Sequence, residues 1–318
     1  MPRPRFIPGR TAFFAARPRP GPPRLAVAYA AVRLGAPVAW VEPLAREGRI
    51  RVDGQTAGPR SPIDLSRAPR VAVDLPEAWP PHMARADMPL EALHEDAFVL
   101  AVDKPPGVLV HPARGHMDNR TLANAVRHRH RALAGRPGFT LGACHRLDLH
   151  TSGVVLFALR TDAYRHLCGQ FAAGSVHKEY WCVVEGDPPW AGHAVRESLG
   201  PDPARPGRVM AIPAGQGGKE AETEFTKIMP LEGGCLLEAR PRTGRLHQIR
   251  VHAAAMGHPI LGDRDYNPLW ADGRGGACAI RQALHARALA FTHPGTGQIL
   301  RIEAPWPKDW PWPRPHGT

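Results

Sequence analysis

His145-Arg146-Leu147-Asp148-Leu149-His150-Thr151-Ser152-Gly153 runs directly into Val154-Val155-Leu156-Phe157-Ala158-Leu159. From Gly153 to Leu159 the run is continuously apolar, the pattern of a central strand buried on both faces. Thr151-Ser152-Gly153 turns the chain into that strand, so the polar residues before it gather at one end of a core element. Just beyond, Asp162 offers an N-cap, and Tyr164, Leu167, Cys168 and Phe171 follow at helical spacing until Gly174. Further on, Tyr180 to Val184, Thr223 to Ile228 and Cys235 to Ala239 read as strands. Thr243 is expected to cap a helix through Met256, closed by Gly257. Upstream, Phe98 to Val102 is a short buried strand ahead of the turn Lys104-Pro105-Pro106-Gly107, and Thr121 to Ala134 has the pattern of a helix. Strands outnumber helices and often follow one another, which gives an α+β class and argues against a doubly wound sheet.

Toward the N terminus, Met1 to Arg24 carries six arginines, seven prolines and no acid. Such proline density forbids a regular helix, so 1–24 is expected to be a flexible basic arm. Its charge is that of a transit peptide, but the prolines spoil the amphipathic helix such signals use. Residues 25–80 read as a small module. Leu25 to Leu34 is helical and closed by Gly35 and Pro37, and a second short helix runs from Trp40 to Glu47. Ile50-Arg51-Val52 is a strand turned by Asp53-Gly54, with Val71-Ala72-Val73 returning. A proline-rich linker, Pro76 to Met88, leads into the main domain, 86–305. The tail 306–318 sets Trp306, Trp310 and Trp312 among prolines and is expected to lie extended against that domain.

Length, 318 residues, allows a substantial core in one large domain or two smaller ones. No stretch has the apolar length to cross a bilayer, and no secretory signal is read. Five scattered cysteines without a C-x-x-C pair read as free thiols in a reducing compartment. A cytoplasmic monomer is the expectation. The net charge of +12 favours a polyanionic partner. An arginine-rich solvated surface would give the same count, so charge alone does not decide the partner.

Three polar segments stand out: 145–153, Lys178-Glu179-Tyr180-Trp181, and Thr243-Gly244-Arg245-Leu246-His247-Gln248-Ile249-Arg250-Val251-His252. Taken singly, Asp148 reads as a turn aspartate, Tyr180 as a core aromatic, and Arg245 and Arg250 as solvated helix residues. Histidines 145 and 150 are five apart, as are 247 and 252, which misses the i, i+4 spacing of a helical zinc motif. The run Arg127-His128-Arg129-His130-Arg131 suits phosphate better than a metal ion, because its cations would repel the metal. A phosphate-binding loop also fails, since Gly218-Lys219 is followed by Glu220 and the upstream glycine position is Pro213.

Together the three segments resemble the RluA family of pseudouridine synthases, whose motifs HRLDxxTSG, KEY and TGRxHQxRxH occur in this order. Flanking pieces agree, among them Asp103-Lys104-Pro105-Pro106-Gly107, Val110-His111-Pro112, and Gly257-His258-Pro259-Ile260-Leu261-Gly262-Asp263. The resemblance covers roughly Met88 to Pro305. It implies a mixed, mostly antiparallel sheet in the catalytic domain and an activity that isomerises uridine in structured RNA. Large-subunit ribosomal RNA is the favoured substrate and transfer RNA the second. The reaction breaks a glycosidic bond and rejoins the base through carbon, so neither metal nor cofactor is implied.

By the same resemblance Asp148 is the nucleophile, Arg245 holds it ionised, and Tyr180 stacks on the uracil and assists proton removal. Arg146 fills the gap left by the flipped nucleotide, and His145, Thr151, His247, Gln248 and Arg250 complete an RNA-binding and base-flipping set. Residues 25–80 are similar, more weakly, to the αL RNA-binding motif. They read as a degenerate copy, because Trp40, Glu42, Pro43 and Glu47 stand where basic residues are usual. Two other readings compete. A non-catalytic RNA-binding or ribosome-assembly protein could keep the fold, but it would not need the carboxylate. A carboxylate glycosidase lacks an evident second carboxyl group.

Overall fold

The computed structural model describes residues 10–15, 24–34, 38–76, 87–112, 120–133, 138–213, 216–272, 279 and 281–315. The chain divides into two compact units, one of residues 1–89 with 111–132, the other of 90–110 with 133–318.

In the first unit β1 (Thr11–Ala15), β3 (Ile50–Val52), β4 (Gln55–Thr56) and β6 (Arg70–Asp74) form a sheet in the order β1-β6-β3-β4. The short β2 (Arg24–Leu25) and β5 (Pro62–Ile63) pair separately. Helices α1 (Ala26–Leu34) and α2 (Val38–Arg46) supply Val27, Ala30, Val41 and Leu44 to a core that also holds Phe14, Ile50, Val71 and Val73. Asp53 and Gly54 both have positive φ, the conformation a tight two-residue hairpin needs. The strand that returns at once is β4, while β6 flanks β3 on its other side. The flexible arm expected over 1–24 is corrected in part, since Thr11–Ala15 is an edge strand in register with Arg70–Asp74. Ala12 and Phe14 point into the core, and the Thr11 hydroxyl donates to Asp74 Oδ1 at 2.6 Å. The rest of the expected arm, apart from Arg10 and Arg24, lies outside the described residues, as do most of the linker and Trp40's side chain. The unit also contains α3 (Leu122–Arg129), whose N-cap Thr121 accepts from Asn124 N.

The second unit is built on a ten-stranded sheet. Its strands are β7 (Glu91–Glu95), β8 (Val99–Lys104), β9 (Phe139–Ala143), β10 (Ser152–Arg160), β11 (His177–Glu185), β12 (Gly192–Arg196), β15 (Glu222–Leu231), β16 (Gly234–Pro241), β17 (Leu284–Thr292) and β18 (Ile299–Glu303). The order is β12-β15-β16-β11-β17-β10-β8-β7, with β9 added to β10 and β18 to β17. Among the described residues only β10 and β17 pair in parallel, so the sheet is mixed and mostly antiparallel, as expected. β10 is central and buried along its length. Its parallel entry demands a glycine. At Gly153, φ is +107° and an added Cβ would collide with the Ala286 carbonyl. A separate hairpin, β13 (Ser198–Pro201) with β14 (Val209–Ile212), flanks α5 (Gln248–Ala255). Helix α4 (Thr161–Ala173) covers β10 and ends at Gly174 in the left-handed conformation. Its N-cap residue is Arg160; the expected cap, Asp162, lies in the first turn and pairs with Arg160. The short α6 is Pro268–Ala271.

The helix expected from Thr243 begins at Gln248 instead. His247 has φ +52°, which stops any helix from running through it, and 243–247 form a turn closed by Gln248. Trp310 and Trp312 of the tail are buried in the core with Trp181 and Leu237, so the tail packs on this unit. Among the described residues no helix is long and apolar enough to cross a membrane.

Candidate active site

A cleft of ≈760 Å³ opens in the second unit, where the turn before β10, the start of β11 and the turn before α5 converge. Each of the three polar sequence segments contributes: Asp148, Lys178 and Tyr180, and Arg245 to Arg250.

Asp148 sits in a turn whose carbonyl accepts from Thr151 N at 3.2 Å. One carboxylate oxygen, Oδ2, accepts from Arg250 Nη1 at 3.2 Å; the other, Oδ1, is 3.9 Å from His247 Nε2. Arg250, early in α5, is 4% exposed and shared among three carboxylates. It donates to both oxygens of Asp263 at 2.7 Å and to Asp265 Oδ2 at 2.6 Å. Burial opposes the guanidinium's charge, but the bonds to Asp263 and the charges of Asp263 and Asp148 outweigh it and raise its proton affinity. This buried cation faces Asp148 from the inner wall of the cleft.

The arginine that bonds Asp148 is thus Arg250, not the Arg245 expected from the resemblance. Arg245 donates from Nε to the Glu220 carbonyl at 2.9 Å, and its own amide donates to Gln248 Oε1. The left-handed turn at His247 separates the two: Arg245 stays in the turn at the cleft rim, while Arg250 is carried in by the helix.

Tyr180 lines the cleft from β11, opposite Ala239 and Ala286. Burial, and then the charge of Asp148, push its phenol well above the usual range, so it is protonated at neutral pH. Arg146 is exposed at the rim. Lys178 donates to the Thr243 carbonyl at 2.7 Å, and burial with the nearby charge of Arg245 brings its ammonium down to about 8.

The remaining expected contacts face inward. His145 Nε2 accepts from Leu156 N at 3.1 Å and its ring stacks on Phe171; burial first, then Lys178, lower it to about 3. Thr151 Oγ1 accepts from Gln282 Nε2 at 2.7 Å. Gln248 accepts from Thr243 Oγ1 and Arg245 N and donates to the Glu222 carbonyl and Thr223 Oγ1. These three brace the site, and their hydrogen bonds are committed to protein partners.

Sequence reasoning missed several supports. Lys104 is fully buried and donates to the carbonyls of Pro105, Val108 and Leu149, anchoring the residue after Asp148. Arg281 donates to the His150 carbonyl and Ser152 Oγ, and forks onto Asp309 of the tail at 2.6 and 2.9 Å. Asp263 and Lys104 belong to the flanking motifs of the family resemblance, which was a readable signal; Asp265, Tyr266, Arg281 and Asp309 had none. Among the described residues, no group of three or more His, Cys, Asp or Glu could hold a metal ion.

Residues 98–255 match the family model described as RNA pseudouridylate synthase. The chain is 38% identical over 246 residues to ribosomal large subunit pseudouridine synthase D of Zymomonas mobilis subsp. mobilis, covering 74% of this chain and 75% of that protein. It is 35% identical over 285 residues to ribosomal large subunit pseudouridine synthase C of Escherichia coli, covering 85% of both. Among solved structures, human RNA pseudouridylate synthase domain containing 1 superposes with a TM-score of 0.56 at 26% identity, over 69% of this chain and 84% of that one.

Proposed function

The chain belongs to the RNA pseudouridylate synthase family, and from that premise we propose that it isomerises uridines of large-subunit ribosomal RNA with Asp148 as the nucleophile. The observation that carries the second half is the pairing of Asp148 with Arg250 in the cleft. A desolvated carboxylate tends to take up a proton, and a buried guanidinium opposes that. The first half is supported by the names of the two bacterial relatives, both large-subunit enzymes.

The chemistry asks little else of the protein. The bond from ribose to N1 of the base breaks, the base turns, and a bond to C5 forms, while the C5 proton is in effect replaced by one on N1. Nothing is oxidised and no atom is lost. Asp148 supplies a transient bond or charge to the separated fragments. Tyr180, a flat and protonated phenol, suits stacking on the uracil. As a protonated phenol it cannot take up the C5 proton unless it first gives up its own, which burial and then the Asp148 charge oppose. Arg146, exposed at the rim, is placed for the gap in the RNA stack and offsets part of the few kcal/mol that extrusion costs.

Asp148→Asn keeps the shape and removes the charge. Isomerisation of a large-subunit ribosomal RNA transcript should fall below detection while binding of that transcript persists. Near wild-type turnover by this variant would refute the nucleophile. Mapping pseudouridine in cells with and without the gene tests the substrate. A site missing only from transfer RNA would overturn the ribosomal assignment.

A further inference from the structure

Tyr266 lies outside the cleft lining but is bonded to a residue that faces Asp148. Its hydroxyl oxygen is 2.8 Å from His247 Nδ1 and accepts from the Val209 amide, in β14, at 3.2 Å. Arg208 lies over its ring at 4.6 Å. Arg250 covers the ring at 5.0 Å. A phenol oxygen has two acceptor positions and one proton to give. The Val209 amide can only donate and fills one acceptor position, so of the hydroxyl's two partners only His247 Nδ1 can take its proton. An imidazole nitrogen that accepts a hydrogen bond carries no proton, so the ring's own proton must be on Nε2.

We propose that Tyr266 is a positioning residue for the reaction: its hydroxyl keeps His247 neutral and in the Nε2–H tautomer, so that an N–H dipole, not a lone pair or a full cation, faces Asp148. The backbone supports the same reading. His247 is one of three non-glycine residues with positive φ among those described. That conformation costs a histidine about 1 kcal/mol, and it persists where surrounding contacts fix it. Here it aims one ring nitrogen at Tyr266 and the other at Oδ1 of Asp148.

The alternatives show why the tautomer matters. A lone pair on Nε2 would repel the carboxylate. An imidazolium would pair with Asp148 and blunt it as a nucleophile, adding to the cation already supplied by Arg250. The groups facing His247 are Asp148, Arg250, Asp265, Asp263 and Tyr266. Burial lowers its basicity first, and Arg250 helps, while the three carboxylates work against this. Against those acids, the hydrogen bond into Nδ1 adds to burial and Arg250 in opposing a second proton. This inference depends on Asp148 as the reacting carboxylate for its effect on rate, but the tautomer itself does not.

The test uses the full chain with 15N-labelled histidine, His247 being assigned by its disappearance in His247→Gln. In the unsubstituted protein His247 should be protonated on Nε2 alone from roughly pH 6 to 8. Tyr266→Phe keeps the ring between Arg208 and Arg250 and removes only the hydroxyl. His247 should then take up a second proton at the lower end of that range. In single turnovers on a large-subunit ribosomal RNA transcript, the acid limb of the rate should move up by about one pH unit, a tenfold loss there, with KM little changed. A proton on Nδ1 before substitution, or an unchanged His247 titration in Tyr266→Phe, overturns the proposal. If Asp148→Asn retains full activity, the functional reading fails, while the nitrogen spectra still decide the tautomer.

Discussion

At the residue scale the site turns on which arginine serves Asp148. Arg250 is enclosed with Asp263 and Asp265 and reaches Asp148 with one nitrogen. Arg245 is exposed and satisfies a backbone carbonyl. Lysine at 250 keeps a charge but not the fork, so it cannot serve Asp263 and Asp148 together. Losing the charge-assisted bond to Asp148 is worth about 2–3 kcal/mol, so Arg250→Lys should lower single-turnover rate by roughly a hundredfold. Arg245→Lys should leave that rate within about threefold, as suits a residue whose bonds lie outside the reacting pair. The two variants measured side by side on one RNA decide it; the reverse order of effects would return the role to Arg245. The motif around these residues was legible as a motif, but their division of labour was not. It depends on the left-handed conformation of His247, which a histidine does not announce in sequence.

At the scale of elements, what could be read depended on how local its cause was. β10 was legible because both faces are buried and seven consecutive residues say so. β1 was equally periodic, with Ala12 and Phe14 inward and Phe13 outward, but prolines on both sides outweigh five residues in any reading by composition. The tail's tryptophans gave away its packing, whereas its bond to the active site did not show. Asp309 grips Arg281, which in turn holds the His150 carbonyl and Ser152 Oγ beside the Asp148 turn. That link spans more than a hundred residues and leaves no sequence period. Removing one partner of a buried pair strands the other, so Asp309→Ala should cost about 2 kcal/mol, less than a fully enclosed pair because Asp309 is partly exposed. The rate of isomerisation should fall along with melting temperature, and Asp309→Asn should lie between. A variant that melts earlier yet reacts at full rate would show the tail to be a brace of the core alone.

At the scale of the whole molecule the question is where the positive charge that meets RNA resides. Residues 1–24 hold six arginines and no acid, whereas 25–75 hold seven arginines against five acids. In that second stretch Arg46, Arg49, Arg51 and Arg67 are paired with Glu42, Glu47, Asp74 and Asp64. Cations already facing carboxylates release few counterions from RNA, so the first 24 residues should dominate the salt-dependent part of affinity. Deleting them is a poor test, because Thr11–Ala15 completes the sheet of the first unit and its loss would disturb that core. Replacing Arg3, Arg5, Arg10, Arg17, Arg19 and Arg24 by glutamine leaves the strand in place. For every phosphate that is no longer neutralised, the slope of log affinity against log salt should flatten by about 0.7 to 0.9. Turnover at saturating RNA should be nearly unchanged, since Asp148, Tyr180 and Arg250 all lie in the other unit. Binding isotherms at several salt concentrations would settle the matter. If the glutamine variant keeps the full slope while neutralising Arg33, Arg60 and Arg70 flattens it, the module at 25–80 is the RNA reader, and the lack of a basic second helix is no obstacle to that role.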